Sequence, residues 1–255
     1  MKTFSLWKDK SEQNTLIHWY SPEEKKNNLC LVIFAGGAYR LRSDYEGDAY
    51  AKFLSKKGYN AFVVDYHVQP QDYSITLLDA RRAIRFIRAN AEKFGIDKNK
   101  VIVMGSSAGG HLVALVSTFQ SEIIGEGIDL VDMEEYLPDG QILCYPVISS
   151  NEEISHKESY QNLLTGKYFE KEKYSPELLV HKNTPQAFIW HTSTDCGVNV
   201  INSYKYAEAL RKNNIPCEMH VFPCGGHGLG LAENNLYVTR WKEWLIDWLE
   251  LSFSQ

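Results

Sequence analysis

A serine framed by two glycines is the first candidate for chemistry in this sequence. The stretch Gly105-Ser106-Ser107-Ala108-Gly109 has the spacing Gly-x-Ser-x-Gly, and it stands between an apolar run at 101–104 and a helical pattern at 108–118. A sharp strand-to-helix turn of this kind holds its serine at positive φ with the hydroxyl exposed as a nucleophile. Ser107 has glycines at the two flanking positions that would otherwise crowd it, whereas Ser106 has Met104 and Ala108 there. We therefore predict Ser107 as the nucleophile, with Gly105 and Gly109 as the elbow glycines.

A serine hydroxyl needs a general base within hydrogen-bond reach, and histidine commonly supplies it. His227 is the best placed of the eight histidines, because it lies in the glycine-rich loop CGGHGLG directly after the last apolar run. The glycines free the backbone to bring the imidazole toward the nucleophile. Two other histidines, His67 and His191, lie at strand ends and are weaker candidates. His111 lies on the helix after Ser107, where a packing or hydrogen-bonding role is expected, and His220 lies inside a strand. The remaining three are in polar stretches: His18, His156 and His181.

The third member of such a relay is a carboxylate that fixes the tautomer of the imidazole. Asp195 follows the apolar run 187–191 and lies between Ser107 and His227 in the chain, so it is the predicted acid. Cys196, beside it, has no predicted role. Four competing acids are interpreted as solvated surface charges: Asp129, Asp132 and Asp139 in an acidic stretch, and Asp247 on the last helix.

A serine that attacks a carbonyl group also needs backbone N–H donors for the oxyanion that forms, each worth ~3 kcal/mol. One donor is expected from Ala108, the residue after the nucleophile. The other is expected from Gly37 or Ala38, in the loop Ala35-Gly36-Gly37-Ala38-Tyr39 that follows an early strand. The alternative for this loop is a plain turn without a catalytic role.

The elements that must position these residues alternate between short apolar runs and amphipathic stretches. Strands are predicted at 29–34, 61–66, 101–104, 142–148, 187–191 and 217–222, and helices at 45–57, 77–94, 108–118, 204–212 and 238–251. The helix at 77–94 carries apolar residues on one face and arginines on the other, and in the last helix Trp241, Trp244, Leu245 and Trp248 form a stripe typical of a buried face. This alternation predicts an α/β fold, with a mostly parallel central sheet and helices on both faces. Ligands of such sheets lie at the carboxyl ends of the strands, where every candidate above is found.

Two segments interrupt the alternation. Residues 119–140 are acidic, and residues 149–185 are polar with interspersed aromatic side chains. Because the second segment precedes the strand that leads to Asp195, we predict that 149–185 forms a small cap over the site. The alternative is a surface excursion that does not touch substrate.

Composition limits the remaining possibilities. The 255 residues are 44% apolar and 23% charged, which fits one domain spanning 1–255. The net charge of -5 argues against a nucleic-acid partner. The five cysteines are scattered and form no CxxC pair, so neither a disulfide framework nor a metal site is expected. Without an apolar leader at the N-terminus or an apolar run of about 18 residues, the sequence predicts no membrane partner and a cytoplasmic location.

The motifs AGGAY, GSSAGGHL, HTSTDCGV and CGGHGLGL stand in the same order as in acetyl-esterase and acetyl-xylan-esterase-like α/β-hydrolases, and the chain resembles that group over about residues 29–249. Members often have an acid where Thr194 stands here and proline where Asn199 stands. The resemblance implies the α/β-hydrolase fold and a catalytic triad of Ser107, Asp195 and His227. It also implies a small acyl group, often acetyl, on a carbohydrate or small alcohol.

From the motifs and the resemblance together, we expect a serine esterase that works through an acyl-enzyme, without a metal or organic cofactor. Its partner would be a small-molecule ester with a short, acetyl-like acyl group, acetylated sugars included. Two other readings remain open: a serine peptidase, amidase or arylformamidase that uses the same residues, and a hydrolase-like protein that binds a small molecule without turnover. The sequence leaves the natural substrate and the oligomeric state open, a homodimer included.

Overall fold

The computed structural model describes residues 1–7, 15–71, 73–123, 129–165 and 167–253. Eight strands lie within these ranges: β1 (Lys2–Ser5), β2 (Leu16–Tyr20), β3 (Cys30–Phe34), β4 (Asn60–Val64), β5 (Val101–Ser106), β6 (Gly140–Cys144), β7 (Ala187–Thr192) and β8 (Cys217–Phe222). They form one sheet in the order β1-β2-β4-β3-β5-β6-β7-β8. Strands β3 to β8 are parallel, and β1 and β2 join the β4 edge in antiparallel fashion. The prediction of a mostly parallel sheet is confirmed, but the two antiparallel strands were not predicted.

Helices cover both faces of this sheet, as the strand–helix alternation predicts. They are α1 (Asp44–Lys56), α2 (Tyr73–Ala89), α3 (Ala91–Phe94), α4 (Ala108–Thr118), α5 (Lys157–Leu164), α6 (Pro176–Leu179), α7 (Ile201–Lys212) and α8 (Trp241–Phe253). Short 3-10 turns span Leu130–Met133, Tyr168–Tyr174 and Val238–Arg240. Buried side chains of α1 and α8 share one apolar cluster, and those of α2, α4 and α7 share the other.

The central strands supply side chains to both apolar clusters. In β3, Val32 and Phe34 belong to the cluster under α2 and α4, while Leu31 and Ile33 belong to the cluster under α1 and α8. Successive side chains of a strand point to opposite faces, so a strand covered on both sides needs an unbroken apolar run. All five residues of β3 are buried accordingly.

The predicted helix at 77–94 is two helices in the structure. The first, α2, begins at Tyr73 and ends at Ala89, and α3 follows after Asn90. The Asn90 side-chain amide donates to the carbonyl of Phe86 at 2.8 Å, and the residue has a φ of -113°, outside the helical range. Gly95 ends α3 in the left-handed conformation with a φ of 64°, as the sequence predicts.

The predicted strand at 142–148 is also wrong in its bounds, because β6 ends at Cys144. Tyr145 has a φ of 37°, which turns the chain out of the sheet, and Pro146 follows it. A proline has no N–H to give to a strand ladder, so pairing stops here. The tyrosine is thereby placed next to the site described below.

The arginine face of α2 is covered by the acidic segment rather than open to solvent. Arg82 is 2% exposed and binds Asp129 at 2.6 Å and Asp132 at 2.8 Å. The interpretation of Asp132 as a solvated charge is therefore wrong, since its side chain is 1% exposed. Arg88 likewise binds Asp139 at 3.1 Å. Of the acidic segment, residues 124–128 lie outside the described ranges.

The aromatic stripe of the last helix is a buried face, as its spacing predicts. Trp241, Leu245 and Trp248 are buried in α8, and Trp244 is half-buried. Trp241 stacks on Trp190 of β7 with ring centroids 4.9 Å apart. The stripe therefore anchors α8 against the strand that precedes the predicted acid.

Candidate active site

Ser107 occupies a sharp turn between β5 and α4. Its φ of 53° and ψ of -119° lie outside the allowed regions for most side chains. The glycines of the elbow are required by space: a Cβ on Gly105 would lie 2.3 Å from the carbonyl oxygen of Gly109, and one on Gly109 would lie 2.1 Å from that of Phe34. The turn leaves Ser107 6% exposed, at the floor of a cleft.

The loops after β5, β7 and β8 bring the three predicted relay residues together. The Ser107 hydroxyl lies 2.8 Å from Nε2 of His227, and Nδ1 of the same ring lies 2.8 Å from Oδ2 of Asp195. A carboxylate only accepts, so Nδ1–H donates to Asp195 and Nε2 of the neutral ring accepts from the serine. Gly197 leaves no room for a side chain, because a Cβ there would lie 2.7 Å from the ring of His227. This geometry places the imidazole to take the proton of the hydroxyl, while the carboxylate orients the ring and stays ionised.

Asp195 is held ionised by several donors. Its Oδ1 accepts from the backbone N–H groups of Gly197 at 2.8 Å and Val198 at 2.9 Å. Burial alone would raise the pKa of Asp195, but hydrogen bonds from His191 and His227 hold it well below its usual range. A carboxylate that stays charged orients the imidazole and stabilises its protonated form.

His191, a weaker candidate for the base, lies behind the acid instead of at the serine. Its Nε2 is 3.0 Å from the carbonyl of Val198 and 3.2 Å from Oδ2 of Asp195, and its Nδ1 accepts from the Ser203 hydroxyl at 2.8 Å. His67, the other weaker candidate, binds the buried Asp79 at 2.7 Å. Neither imidazole is bonded to Ser107, so His227 is the ring placed to serve as its base.

The loop at 35–39, which is predicted to supply an oxyanion donor and is called the oxyanion loop below, passes directly beside Ser107. A Cβ on Gly36 would lie 3.2 Å from Cβ of Ser107. The next residues have left-handed backbones, with φ of 132° at Gly37, 54° at Ala38 and 57° at Tyr39. Such a run is strained for side chains larger than glycine and persists only where its surroundings hold it. Ala108 begins α4, where the first N–H groups have no acceptor within the helix.

His111 has the hydrogen-bonding role that the sequence predicts. It is 1% exposed, its Nδ1 accepts from the Tyr39 hydroxyl at 2.8 Å, and its Nε2–H donates to the carbonyl of Tyr174 at 2.8 Å. Burial lowers the pKa of His111 to about 4, against a smaller raising effect of the bond to Tyr174. A neutral imidazole thus ties the oxyanion loop to the elbow helix and to the segment around Tyr174.

The segment after β6 contributes to the cleft walls. His156 and Glu158 line the cleft together with Ser107 and His227. Asn162 of α5 donates from its side-chain amide to the carbonyl of Ala38 at 2.8 Å, so it holds the oxyanion loop. Burial, and next the electrostatic effect of the nearby His227 imidazole, lower the pKa of His156. The assignment of His156 to a polar stretch without a role in the site missed this position.

The cleft has a volume of about 250 Å³, and its walls are of mixed polar and apolar character. Arg40 pairs with Glu158 across it at 3.2 Å, and both side chains are well exposed. Leu41 and Tyr45 add exposed apolar surface at the rim. These walls offer both hydrogen-bond partners and apolar contact to a small molecule.

A second carboxylate, Glu46 of α1, lies in the cleft and was missed by sequence reasoning. It is 2% exposed and accepts from the Tyr145 hydroxyl at 2.6 Å and from the N–H of Gly36 at 3.1 Å. Burial raises the pKa of Glu46, while the bond from Tyr145 and the electrostatic effect of the nearby His227 imidazole act in the opposite direction. Its place in the helical stretch DYEGDAYAKF is typical of a surface position, so no local signal identifies it.

The remaining histidines lie elsewhere. The placement of His18 in a polar stretch is wrong, since it lies in β2 and binds Asp65 at 2.9 Å. His220 lies in β8, as predicted, and stacks on Trp244. Among the described residues, no group of three or more His, Cys, Asp or Glu side chains is arranged to hold a metal ion. In the same residues, no helix combines the length and apolar character needed to cross a membrane.

Several known proteins are similar to this chain in sequence and in fold. The BD-FAE family profile matches residues 17–210. The chain is 35% identical over 241 residues to endo-1,4-beta-xylanase B of Butyrivibrio fibrisolvens, covering 90% of this chain and 36% of that protein. It is 31% identical over 237 residues to an acetylxylan esterase of Xylanibacter ruminicola, covering 91% of this chain and 47% of that protein. The chain thus spans less than half the length of these two relatives.

A solved structure matches over nearly its whole length. The acetyl ester-xyloside bifunctional hydrolase of Caldicellulosiruptor lactoaceticus superposes with a TM-score of 0.91 at 37% identity, covering 98% of this chain and 96% of that one. The eight-stranded sheet and its covering helices are therefore shared with that hydrolase.

Proposed function

The chain belongs to the BD-FAE family and has the α/β-hydrolase fold, and on this basis we propose that it is a serine carboxylic-ester hydrolase of short acyl esters, with acetylated sugars as substrates. The observation that carries the proposal is the chain of two hydrogen bonds, each of 2.8 Å, that links the Ser107 hydroxyl to His227 and His227 to Asp195. Such a chain turns a weakly nucleophilic hydroxyl into one that attacks a carbonyl group.

In the proposed reaction, Oγ of Ser107 bonds to the ester carbonyl carbon while its proton passes to Nε2 of His227. The tetrahedral intermediate collapses when the bond from that carbon to the alcohol oxygen breaks, and the imidazolium gives its proton to the departing alcohol. Water then enters, loses a proton to His227 and attacks the acyl-enzyme. The acid leaves as Ser107 regains its proton. The carboxylate of Asp195 stabilises the imidazolium in both halves.

The oxyanion of each intermediate is proposed to accept hydrogen bonds from the N–H of Ala108 and from that of Gly37 or Ala38. The position of the glycine loop beside Ser107 supports this assignment, and so does the start of α4 at Ala108. Donors that are fixed before the reaction cost no reorganisation when charge develops, and each contributes roughly 3 kcal/mol.

A short acyl group and a polar alcohol fit the cleft. Its small volume favours a short acyl chain, and Arg40, Glu158 and His156 offer hydrogen-bond partners for hydroxyl groups. The relatives agree with this preference, since one is named an acetylxylan esterase and another an acetyl ester-xyloside hydrolase. We also propose that residues 149–185 act as a cap, because His156 and Glu158 from this segment line the cleft.

A cytoplasmic location is also proposed. It rests on the five cysteines, which are all free thiols. Two of them, Cys30 and Cys144, are buried in the sheet, and Cys196 and Cys224 are exposed near the site. Exposed unpaired thiols are typical of a reducing compartment.

The test is hydrolysis of p-nitrophenyl esters from acetate to octanoate by the wild type and by Ser107→Ala. We expect turnover that is highest for acetate, falls with chain length and disappears in the variant. Ser117→Ala is the matched control, because this serine is also buried on α4 but binds the carbonyl of Val113 at 2.8 Å, away from the cleft. Full activity of Ser107→Ala, or hydrolysis of amides without any ester turnover, would contradict the proposal.

Acetylated xylose and xylo-oligosaccharides then test the alcohol side. Release of acetate from these sugars at a higher kcat/KM than from p-nitrophenyl acetate supports the sugar assignment. An equal or lower kcat/KM for the acetylated sugars would be consistent with the serine mechanism but would contradict the assignment of sugars as substrates.

A further inference from the structure

Glu46 is a buried carboxylate in the cleft that takes no part in the proton transfer between Ser107 and His227. It projects from α1 and contributes to the cleft wall together with Ser107 and His227. A carboxylate is removed from water only at a large free-energy cost unless hydrogen bonds replace the lost hydration. Its two oxygens each have a donor, Tyr145 on Oε1 and Gly36 on Oε2. The identity of these two donors indicates what the carboxylate does.

The donor on Oε2 belongs to the oxyanion loop. Gly36 directly precedes Gly37, a predicted oxyanion donor, and a Cβ on Gly36 would lie 2.3 Å from Oε2 itself. The carboxylate oxygen therefore lies directly against this backbone. It fixes the orientation of the peptide group at Gly36, and through it the start of the left-handed run that follows.

The donor on Oε1 leads to the histidine loop. The Tyr145 oxygen, while its hydrogen points to Glu46, accepts the N–H of Gly230 at 2.9 Å. Gly230 is three residues beyond His227 in the same glycine-rich loop. The edge of the Tyr145 ring also packs against the His227 imidazole, with centroids 5.2 Å apart at an angle of 74°. The tyrosine thus contacts the base and the backbone that carries it.

The charge of Glu46 sets the direction of a longer hydroxyl chain. An ionised carboxylate only accepts, so Tyr145 must donate to it. The Tyr145 oxygen lies 3.3 Å from the Tyr50 hydroxyl, which lies 2.8 Å from that of Ser106. With Tyr145 turned toward Glu46, its oxygen is free to accept from Tyr50, and Ser106 can then donate to Tyr50. The chain therefore runs from the residue before the nucleophile to the carboxylate.

We propose that Glu46 and Tyr145 are positioning residues that hold the oxyanion loop and the histidine loop at a fixed separation. The inference rests on the proposed function, because a fixed separation matters only if the two loops act on one carbonyl group. A loop displaced by about 1 Å loses rate on the order of a hundredfold, even when binding is little affected. The pair therefore acts on turnover rather than on substrate affinity.

The first test is Tyr145→Phe, which removes one hydroxyl and keeps the ring against His227. We expect kcat for p-nitrophenyl acetate to fall about tenfold to a hundredfold, with KM nearly unchanged. Rates are expressed per active site, counted by the stoichiometric p-nitrophenol release from a p-nitrophenyl phosphonate. Tyr206→Phe is the matched control, since its hydroxyl is also buried but donates to Gln141 at 2.9 Å, far from the relay.

The second test compares two changes at the carboxylate. In Glu46→Gln, the amide oxygen can accept from Gly36 while its NH2 donates to Tyr145, which then turns its own hydrogen toward Tyr50. Since both loops stay tethered, we expect kcat within about threefold of the wild type. Glu46→Ala removes both tethers, and its kcat should fall at least as far as that of Tyr145→Phe.

Several outcomes would overturn the inference. One is a wild-type kcat per titrated site in both Tyr145→Phe and Glu46→Ala. A second is a loss in Glu46→Gln as large as in Glu46→Ala, which would mean that charge matters and position does not. If Glu46→Ala does not fold, the kcat values of Tyr145→Phe and Glu46→Gln still test the inference. Failure of the proposed function is distinguishable, because it appears as ester turnover that survives Ser107→Ala or as no ester turnover by the wild type, and either result also removes the inference.

Discussion

The buried imidazole of His111 should make the protein lose stability in mild acid. His111 is 1% exposed, and burial lowers its pKa to about 4. In the unfolded chain, histidine titrates near its ordinary pKa of about 6.5. Between these two values the unfolded state binds a proton that the folded state does not. The stabilising contribution of His111 is therefore complete above about pH 6.5 and is lost as the pH falls toward 4.

The size of the effect follows from the interval between the two values. At pH 5 the folded imidazole is still almost neutral, while the unfolded one lies about 1.5 pH units below its pKa. At 1.36 kcal/mol per unit, this costs the folded state about 2 kcal/mol relative to pH 7. Since pH 5 is above the folded pKa, the figure depends mainly on the unfolded value.

The assay is urea unfolding at pH 7 and pH 5 of the wild type and of His111→Asn, followed by tryptophan fluorescence and circular dichroism. Asparagine does not titrate, and its carbonyl can accept from Tyr39 in place of Nδ1. We expect the free energy of unfolding to fall by about 2 kcal/mol more in the wild type than in the variant over this pH interval. His111→Phe, which loses both hydrogen bonds, should be less stable at pH 7 but show the same weaker pH response. An equal pH dependence in wild type and variants would refute the reasoning.

Three further changes test other parts of the architecture. Gly109→Ala places a Cβ 2.1 Å from the Phe34 carbonyl oxygen, so thermal unfolding should show a marked loss of stability, and the remaining folded protein should have little esterase activity. Asn162→Leu removes the 2.8 Å bond to the Ala38 carbonyl, and steady-state kinetics should show kcat reduced about three- to tenfold with KM little changed. Arg82→Met leaves two carboxylates without their buried partner, and denaturant unfolding should show a loss of about 3–5 kcal/mol with normal activity per folded molecule.

The parts of the site that depend on tight turns could be predicted from the sequence. A serine at positive φ requires small residues at fixed positions around it, so Gly105 and Gly109 identify Ser107. The glycine loop around His227 follows the same logic. Asp195 could be located because parallel strands end at one edge of the sheet, which makes the loop after an apolar run the place to look for it.

Glu46 and His156 could not be found in this way. Each is a polar residue in a stretch that has the composition of a surface helix or loop. Their surroundings at the cleft come from elements far away in the chain: Tyr145 binds the buried Glu46, and His227 lies close enough to the half-buried His156 to lower its pKa. A local pattern does not contain such partners.

In the fold as well, elements with a clear local pattern could be predicted, and elements that depend on distant partners could not. Strands covered on both faces were identified by unbroken apolar runs, as in β3 and β7. Strand β1 is mostly exposed and β2 is only partly buried, so neither has an unbroken apolar run that stands out from a polar N-terminal stretch. The arginines of α2 resemble a solvated face because the segment that covers them is itself acidic and irregular.

The order in which the relay residues occur along the chain has a consequence for biosynthesis. The hydroxyl and the imidazole of the relay are 120 residues apart, and the acid and the base both follow β7. During synthesis the elbow with its serine emerges long before the loops that activate it, so the serine of the nascent chain has no base until those loops have been made. Contacts between distant segments form late in folding. Return of ester turnover in a refolding experiment would therefore report the docking of β7 and β8, a step that fluorescence from earlier parts of the chain does not register.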